Sequence, residues 1–219
     1  MKVKICGIRS SEAALAAADA GADLLGLNFA PVSKRRIAVF AAVEAAGAIR
    51  QRSTPPQLAG IFVNQPIDEV ARIARGIGLD YVQLSGDEDE AYCRSIASET
   101  RLPVIKAVRL PADDVRAAAL RTSGAVELLL ADAQGTYGGA GQPWTWETAA
   151  DLASQFPTLL AGGLTAENVG TAIAAVRPWG VDVASGVETN GQTDPEKVRA
   201  FIKEVRAYEH SHGHSDTAN

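Results

Sequence analysis

Cys6 closes the strand-like run VKIC near the start of the chain and is followed by Gly7 and Arg9. A thiol in that place can be packing, a metal ligand, a redox group or a reagent in proton transfer. The second cysteine, Cys93, falls in the helix-like run EAYCRSIA and forms no CxxC spacing with it, so neither a staple nor a thiol pair is indicated. Histidine usage narrows the chemistry further. His210, His212 and His214 all lie in the terminal stretch HSHGHSDTAN, which has almost no apolar content and reads as a frayed tail. The body therefore has no imidazole for a serine triad, a histidine-held zinc or histidine acid–base work. Proton transfer must fall to carboxylates, cysteine, lysine or tyrosine, and no metal is expected.

Other candidates share the position of Cys6, at the end of an apolar run. They are Asn28, Asn64, Gln83, Lys106, Asp132, Asp182 and Ser185, together with the glycine pair Gly162 and Gly163. Polar groups there are costly unless wet or paired, so their recurrence at one end of successive units is the pattern of a site. The segments LLAGGLTAEN and VDVASGVETNG add glycine-rich turns. Gly162, Gly163, Ser185 and Gly186 can present backbone N–H groups to a phosphate, and a helical turn begun by VETN would add its amino end. The long segment DAQGTYGGAGQPW after Asp132 reads as a flap over the site.

The elements that must position these residues alternate regularly. The runs VKICGI, DLLGLNF, QLAGIFV, DYVQLS, PVIKAV, AVELLLA, TLLAG and GVDVAS read as strands covered on both faces. Between them lie Ala-rich amphipathic stretches with cap-like residues such as Ser10, Asp87 and Thr165. Eight strand–helix units predict an α/β fold, a (β/α)8 TIM barrel in a single domain over residues 1–208, with a disordered tail at 209–219. A doubly wound sheet is the rival, but the first turn, CGIRSSEA, has no GxGxxG. In a barrel the site lies at the carboxyl ends of the strands, with phosphate held after the seventh and eighth.

At 219 residues, 47% of them hydrophobic, the chain can bury one sizeable core. A formal net charge of -5 with scattered basic residues argues against a nucleic-acid partner. No apolar run approaches the roughly 20 residues of a membrane span, and the first residues have little of a signal peptide's apolar region, so the expected location is cytoplasmic.

In order along residues 2 to 205, VKICGIR, GLNFAPVSKRR, GIFVN, DYVQLSGDE, PVIKAV, LLLADAQGTYGGAGQPWTW, LAGGLTAENV and VDVASGVETNGQTDPEKVRAFI resemble the phosphoribosylanthranilate isomerases of tryptophan biosynthesis. The resemblance implies an Amadori rearrangement of N-(5-phosphoribosyl)anthranilate to 1-(2-carboxyphenylamino)-1-deoxyribulose 5-phosphate, with no cofactor. It implies Cys6 as general base, Asp132 as general acid and Arg35 as partner of the anthranilate carboxylate. Gln83 is left between orienting sugar hydroxyls and a place in a polar barrel layer. Asp182 is left between a structural hydrogen bond and a contact to the substrate's amine or hydroxyls.

Lys4 is set aside as an activator of the thiol, being two residues away and short of the strand's end. Trp144, Trp146 and Cys93 are assigned to helix packing. The chain departs from the family's usual residues at Lys34, Ser85, Ala140 and Ala184, the last two each lacking a hydroxyl. A different phosphosugar isomerase or a non-catalytic phosphate-binding barrel are the competing readings. Either a monomer or a homodimer fits.

Overall fold

A computed structural model describes residues 1–110, 112–132 and 144–212. The strands are β1 (Lys2–Cys6), β2 (Leu24–Asn28), β3 (Gln57–Phe62), β4 (Tyr81–Leu84), β5 (Val104–Arg109), β6 (Leu128–Asp132), β7 (Thr158–Ala161) and β8 (Gly180–Val183). Each is followed by a helix: α1 (Ser11–Asp19), α2 (Val39–Arg50), α3 (Ile67–Ile77), α4 (Glu90–Thr100), α5 (Asp114–Ser123), α6 (Trp144–Gln155), α7 (Val169–Val176) and α8 (Pro195–His212). The eight strands pair in chain order as a closed parallel barrel, with β8 returning to β1 in the register Lys4↔Asp182. The expected (β/α)8 barrel is what the chain forms.

Side-chain alternation divides the interior in two. Between sheet and helices lies a continuous apolar layer that includes Val3, Ile5, Leu25, Leu27, Val104, Val108, Val181 and Val183. Inside the barrel a smaller cluster of Ala59, Ile105, Leu128, Leu130, Leu159 and Ala161 closes the floor, with Tyr81 and Trp179 packed against it. Burying one such Leu or Ile side chain contributes about 1.5–3 kcal/mol, so these layers fix which way each strand faces. Alanines such as Ala14, Ala17, Ala42, Ala45 and Ala46 are buried and let α1 and α2 lie close to the sheet. Trp146 packs against the same outer layer.

Local starts differ in places from expectation. Ser10 caps α1, its Oγ accepting from the Ala13 N–H at 3.2 Å. At α4 the cap is Asp89, which accepts from the Tyr92 N–H at 2.8 Å, whereas the Asp87 N–H is held by Asn64. Before α7 the Asn168 side chain accepts from the Thr165 N–H at 2.8 Å, and the Thr165 carbonyl accepts from the Val169 N–H at 3.0 Å. After β8 the helical turn comes earlier than VETN, as a single 3-10 turn at Ser185–Val187. Glu188–Thr189 (β9) then pairs with Gln192–Thr193 (β10) as a small hairpin. Helix α8 runs through His212, beyond the residue 208 boundary drawn from sequence; residues 213–219 of the tail lie outside the described residues. Among the described residues no helix is long and apolar enough to cross a membrane.

Candidate active site

A cavity of about 610 Å3 opens at the carboxyl ends of the strands. Asp132, the last residue of β6, lines it and is half-buried. Burial pushes its carboxyl above the usual range, the nearby Asp182 carboxylate pushes the same way, and Arg109 works weakly against both. A carboxyl raised in this way is better suited to donate a proton.

Cys6 is half-buried at the end of β1. Burial raises its thiol, and Asp182 adds to that rise, while the Lys4 ammonium and Arg35 favour the thiolate. Lys4 donates to Asp182 Oδ1 at 2.8 Å, with its own side chain fully buried and that of Asp182 10% exposed. Burial alone would lower the Lys4 ammonium, but Asp182 and Cys6 together carry it above its ordinary value. The structure thus corrects the reading of Lys4. On a strand, residues two apart share a face, so the lysine set aside by sequence distance points to the same side as Cys6. Its signal was present in KVKIC, where Val3 and Ile5 alternate with Lys4 and Cys6.

Arg35 lies in the loop after β2 and lines the cavity. Its Nε and Nη2 donate to the two carboxylate oxygens of Glu188 at 2.6 and 2.8 Å. The pairing raises the guanidinium and holds the Glu188 carboxyl below its usual range. The arginine stem crosses over Gly7, whose φ of 84° turns the chain out of β1 and whose missing Cβ leaves room for Arg35 Cδ. Glu188 was not foreseen, because its partner is 153 residues away in sequence.

Gln83 points into the cavity at 4% exposure. Its Nε2 donates to Ser85 Oγ at 3.1 Å, and its buried Oε1 has no partner among the described residues. Gly162 and Gly163, with φ of 96° and 64°, follow β7, and Ala184 and Ser185 follow β8; all four line the same side. Gly186 presses against this edge: a Cβ there would land on the Leu164 carbonyl, so only glycine lets the two loops meet.

Several strand-end candidates do other work. Asn28 Oδ1 accepts from the Ala30 N–H at 2.9 Å, and Asn64 Oδ1 from the Asp87 N–H at 2.8 Å. Lys106 alternates with the inward Ile105 and Ala107 and so faces the helices, where it pairs with buried Glu88 at 3.1 Å. Cys93, on the same side, is buried and pushed up to about 11 by burial. Arg109 and Arg116 line the cavity but were missed. Ending the fifth strand at Val108 leaves out Arg109, whereas β5 includes it, in register with Asp132. The flap and Ala140, within 133–143, and the side chain of Trp144 lie outside the described residues.

With this geometry in hand, comparison with known proteins is specific. A family model described as N-(5'phosphoribosyl)anthranilate (PRA) isomerase matches residues 3–204. A relative from Roseiflexus castenholzii named N-(5'-phosphoribosyl)anthranilate isomerase is 50% identical over 213 residues, covering 94% of this chain and 99% of its own. The crystal structure of phosphoribosyl anthranilate isomerase from Thermotoga maritima has a TM-score of 0.81 at 35% identity, covering 94% of this chain and 99% of its own. A phosphoribosyl anthranilate isomerase in complex with reduced 1-(o-carboxyphenylamino)-1-deoxyribulose 5-phosphate has a TM-score of 0.80 at 33% identity, with the same coverage.

Proposed function

The chain belongs to the N-(5'-phosphoribosyl)anthranilate isomerase family, and from that premise we propose how its own residues carry the family's step of tryptophan biosynthesis. Asp132, protonated, gives its proton to the ribose ring oxygen. The C1–O bond breaks and the anthranilate nitrogen's lone pair forms a cationic iminium at C1. Cys6, as thiolate, removes the proton from C2; the C2–H electrons form the enolamine and neutralise the nitrogen. Tautomerisation of the enolamine gives the amino-ketone, so atoms and charge balance without an external reagent.

The observation that carries this assignment is the contrast between two groups linked through Asp182. Burial and that carboxylate both raise the Asp132 carboxyl, whereas Cys6, its thiol raised by burial, has two cations, Lys4 and Arg35, that favour its thiolate. At the other edge, the backbone N–H groups of Gly162, Gly163, Ser185 and Gly186 are assigned to the phosphate, in keeping with their loops at β7 and β8. The Arg35 fork, already fitted to a carboxylate, is assigned to the anthranilate carboxylate. The orphan oxygen of Gln83 suits a substrate hydroxyl, and Asp182 keeps one oxygen beyond its Lys4 bond for the substrate's amine or hydroxyls. Two unpaired thiols fit a reducing compartment, the cytoplasm.

The test is turnover of freshly formed phosphoribosylanthranilate, followed by the loss of its anthranilate fluorescence. C6A and D132N are each expected to lower kcat by about 10^2–10^4. Calorimetry should show both still binding the reduced product analogue. Normal turnover in either variant overturns the assignment of acid and base.

A further inference from the structure

The mechanism leaves unexplained why a lysine is sealed inside the barrel. Lys4 is fully buried, next in register to Asp182, and bonded to it at 2.8 Å. A barrel needing only bulk at this layer would hold Leu or Ile, as the inward positions of β5 to β7 do. Instead the layer carries a cation directly below Cys6 on the same strand face and a carboxylate whose side chain reaches the cavity that Asp132 lines.

We infer that Lys4 and Asp182 form a positioning dyad for the acid–base pair, the ammonium held to Cys6 and the carboxylate held to Asp132, so that thiolate and neutral acid occur together in the same molecule. This deepens the proposed mechanism and rests on it. The groups facing Cys6 are Lys4 from its own strand, Asp182 from β8 and Arg35 from the loop after β2. Those facing Asp132 are Asp182 and Arg109 from β5. Lys4 bonds Asp182 at 2.8 Å and shares a strand face with Cys6, whose sulfur it attracts, so it is the common partner of both.

The dyad matters because the active form is the unusual one. An ordinary carboxyl ionises well before an ordinary thiol, so the state with neutral Asp132 and ionised Cys6 is a minority at every pH. Between the two titrations its fraction is constant, and it falls tenfold for each pH unit separating them. Lys4 draws the thiol downward and Asp182 pushes the acid upward, and both actions narrow that separation; Asp182 also pushes the thiol up, but by less than Lys4 draws it down. One buried ion pair thereby raises the competent fraction from both sides. The profile of kcat/KM against pH then rises through the titration of Asp132, stays level, and falls through that of Cys6.

The experiment compares wild type, K4M and the charge-free double variant K4M/D182N, all carrying C93A so that Cys6 is the sole thiol. K4M is expected to lower the level part of kcat/KM by about tenfold or more, with the alkaline limb displaced upward by a matching amount, one unit per factor of ten. The pH dependence of Cys6 alkylation by iodoacetamide should move with that limb. In the double variant, which leaves no buried charge unpaired, the acid limb should also fall below that of wild type. A K4M enzyme that loses activity with both limbs and the alkylation profile unmoved shows a structural lysine and overturns the dyad. A folded double variant with wild-type limbs overturns it equally. C6A is run alongside; if C6A still turns over, the assignment of the base fails, a result separate from any movement of the limbs.

Discussion

At the mouth of the barrel Arg35 and Glu188 share two parallel, charge-assisted hydrogen bonds. That geometry is specific to a planar fork, which a lysine ammonium does not reproduce. R35K should therefore raise KM for phosphoribosylanthranilate by about 10–100-fold, the range given by losing one charge-assisted hydrogen bond, with a smaller change in kcat. Steady-state kinetics checks this, and an unchanged KM would remove Arg35 from the carboxylate site. Asp132 makes a prediction about stability. Its carboxyl is raised in the folded state, so the folded protein binds that proton more tightly than the unfolded chain. Stability then falls as pH rises from the ordinary carboxylate range through the raised value. D132N escapes that loss. It should melt higher than wild type at pH 7, by about 2–4 °C per kcal/mol relieved, and the advantage should shrink by pH 4.

The strand-to-helix loops depend on polar anchors that face away from the cavity. Glu88 accepts from the Asn64 and Gly86 N–H groups, both at 2.8 Å, while Lys106 donates to the Leu84 and Gly86 carbonyls. This cluster ties the turn after β3 to the turn after β4, the strand that carries Gln83. K106M leaves Glu88 buried without its cation, which costs about 3–5 kcal/mol, measurable by urea unfolding. An effect below 1 kcal/mol would mean that the backbone N–H groups alone hold Glu88. The same cluster shows what was legible beforehand and what was not. Reading polar residues off strand ends picked Cys6, Gln83, Asp132 and Asp182, which do gather at one end of the barrel. It also picked Lys106, because position along a strand does not tell inward from outward; that follows only from alternation against neighbours such as Ile105 and Ala107. Lys4 was lost to the opposite error, with sequence distance taken for spatial separation. The Arg35–Glu188 pair joins loops brought together only by closure of the barrel, so no local pattern announces it.

Closure of the whole molecule rests on the seam where β8 meets β1, and α8 covers that seam. The eightfold alternation implied a closed barrel, but how its two ends are fastened is long-range chemistry. Arg206 of α8 donates at 2.8 Å to the Met1 carbonyl, to Asp23 Oδ2 and to Glu209 Oε2. The amino terminus pairs with Glu209 in turn. Burial alone would raise the Asp23 carboxyl, but the Val3 N–H, Arg206 and Lys2 outweigh it and hold it below the usual range. Glu209 is likewise depressed: burial opposes, and the amino terminus with Arg206 prevails. Carboxyls depressed by folding contribute stability above their unfolded values and lose it as pH falls through their folded ones. R206A should cost about 1–2 kcal/mol at pH 7, a modest figure because these side chains are partly solvated. At this chain length that is a fall in Tm of about 2–8 °C. Below the ordinary carboxylate range the wild type should lose stability faster than the variant, so the gap between the two melting curves narrows. Part of it should survive, because the bonds from Arg206 to the Met1 and Gly21 carbonyls do not titrate. A gap that stays constant down through that range would mean that the seam is held by apolar packing of Val198, Phe201 and Val205, and not by the charged clasp.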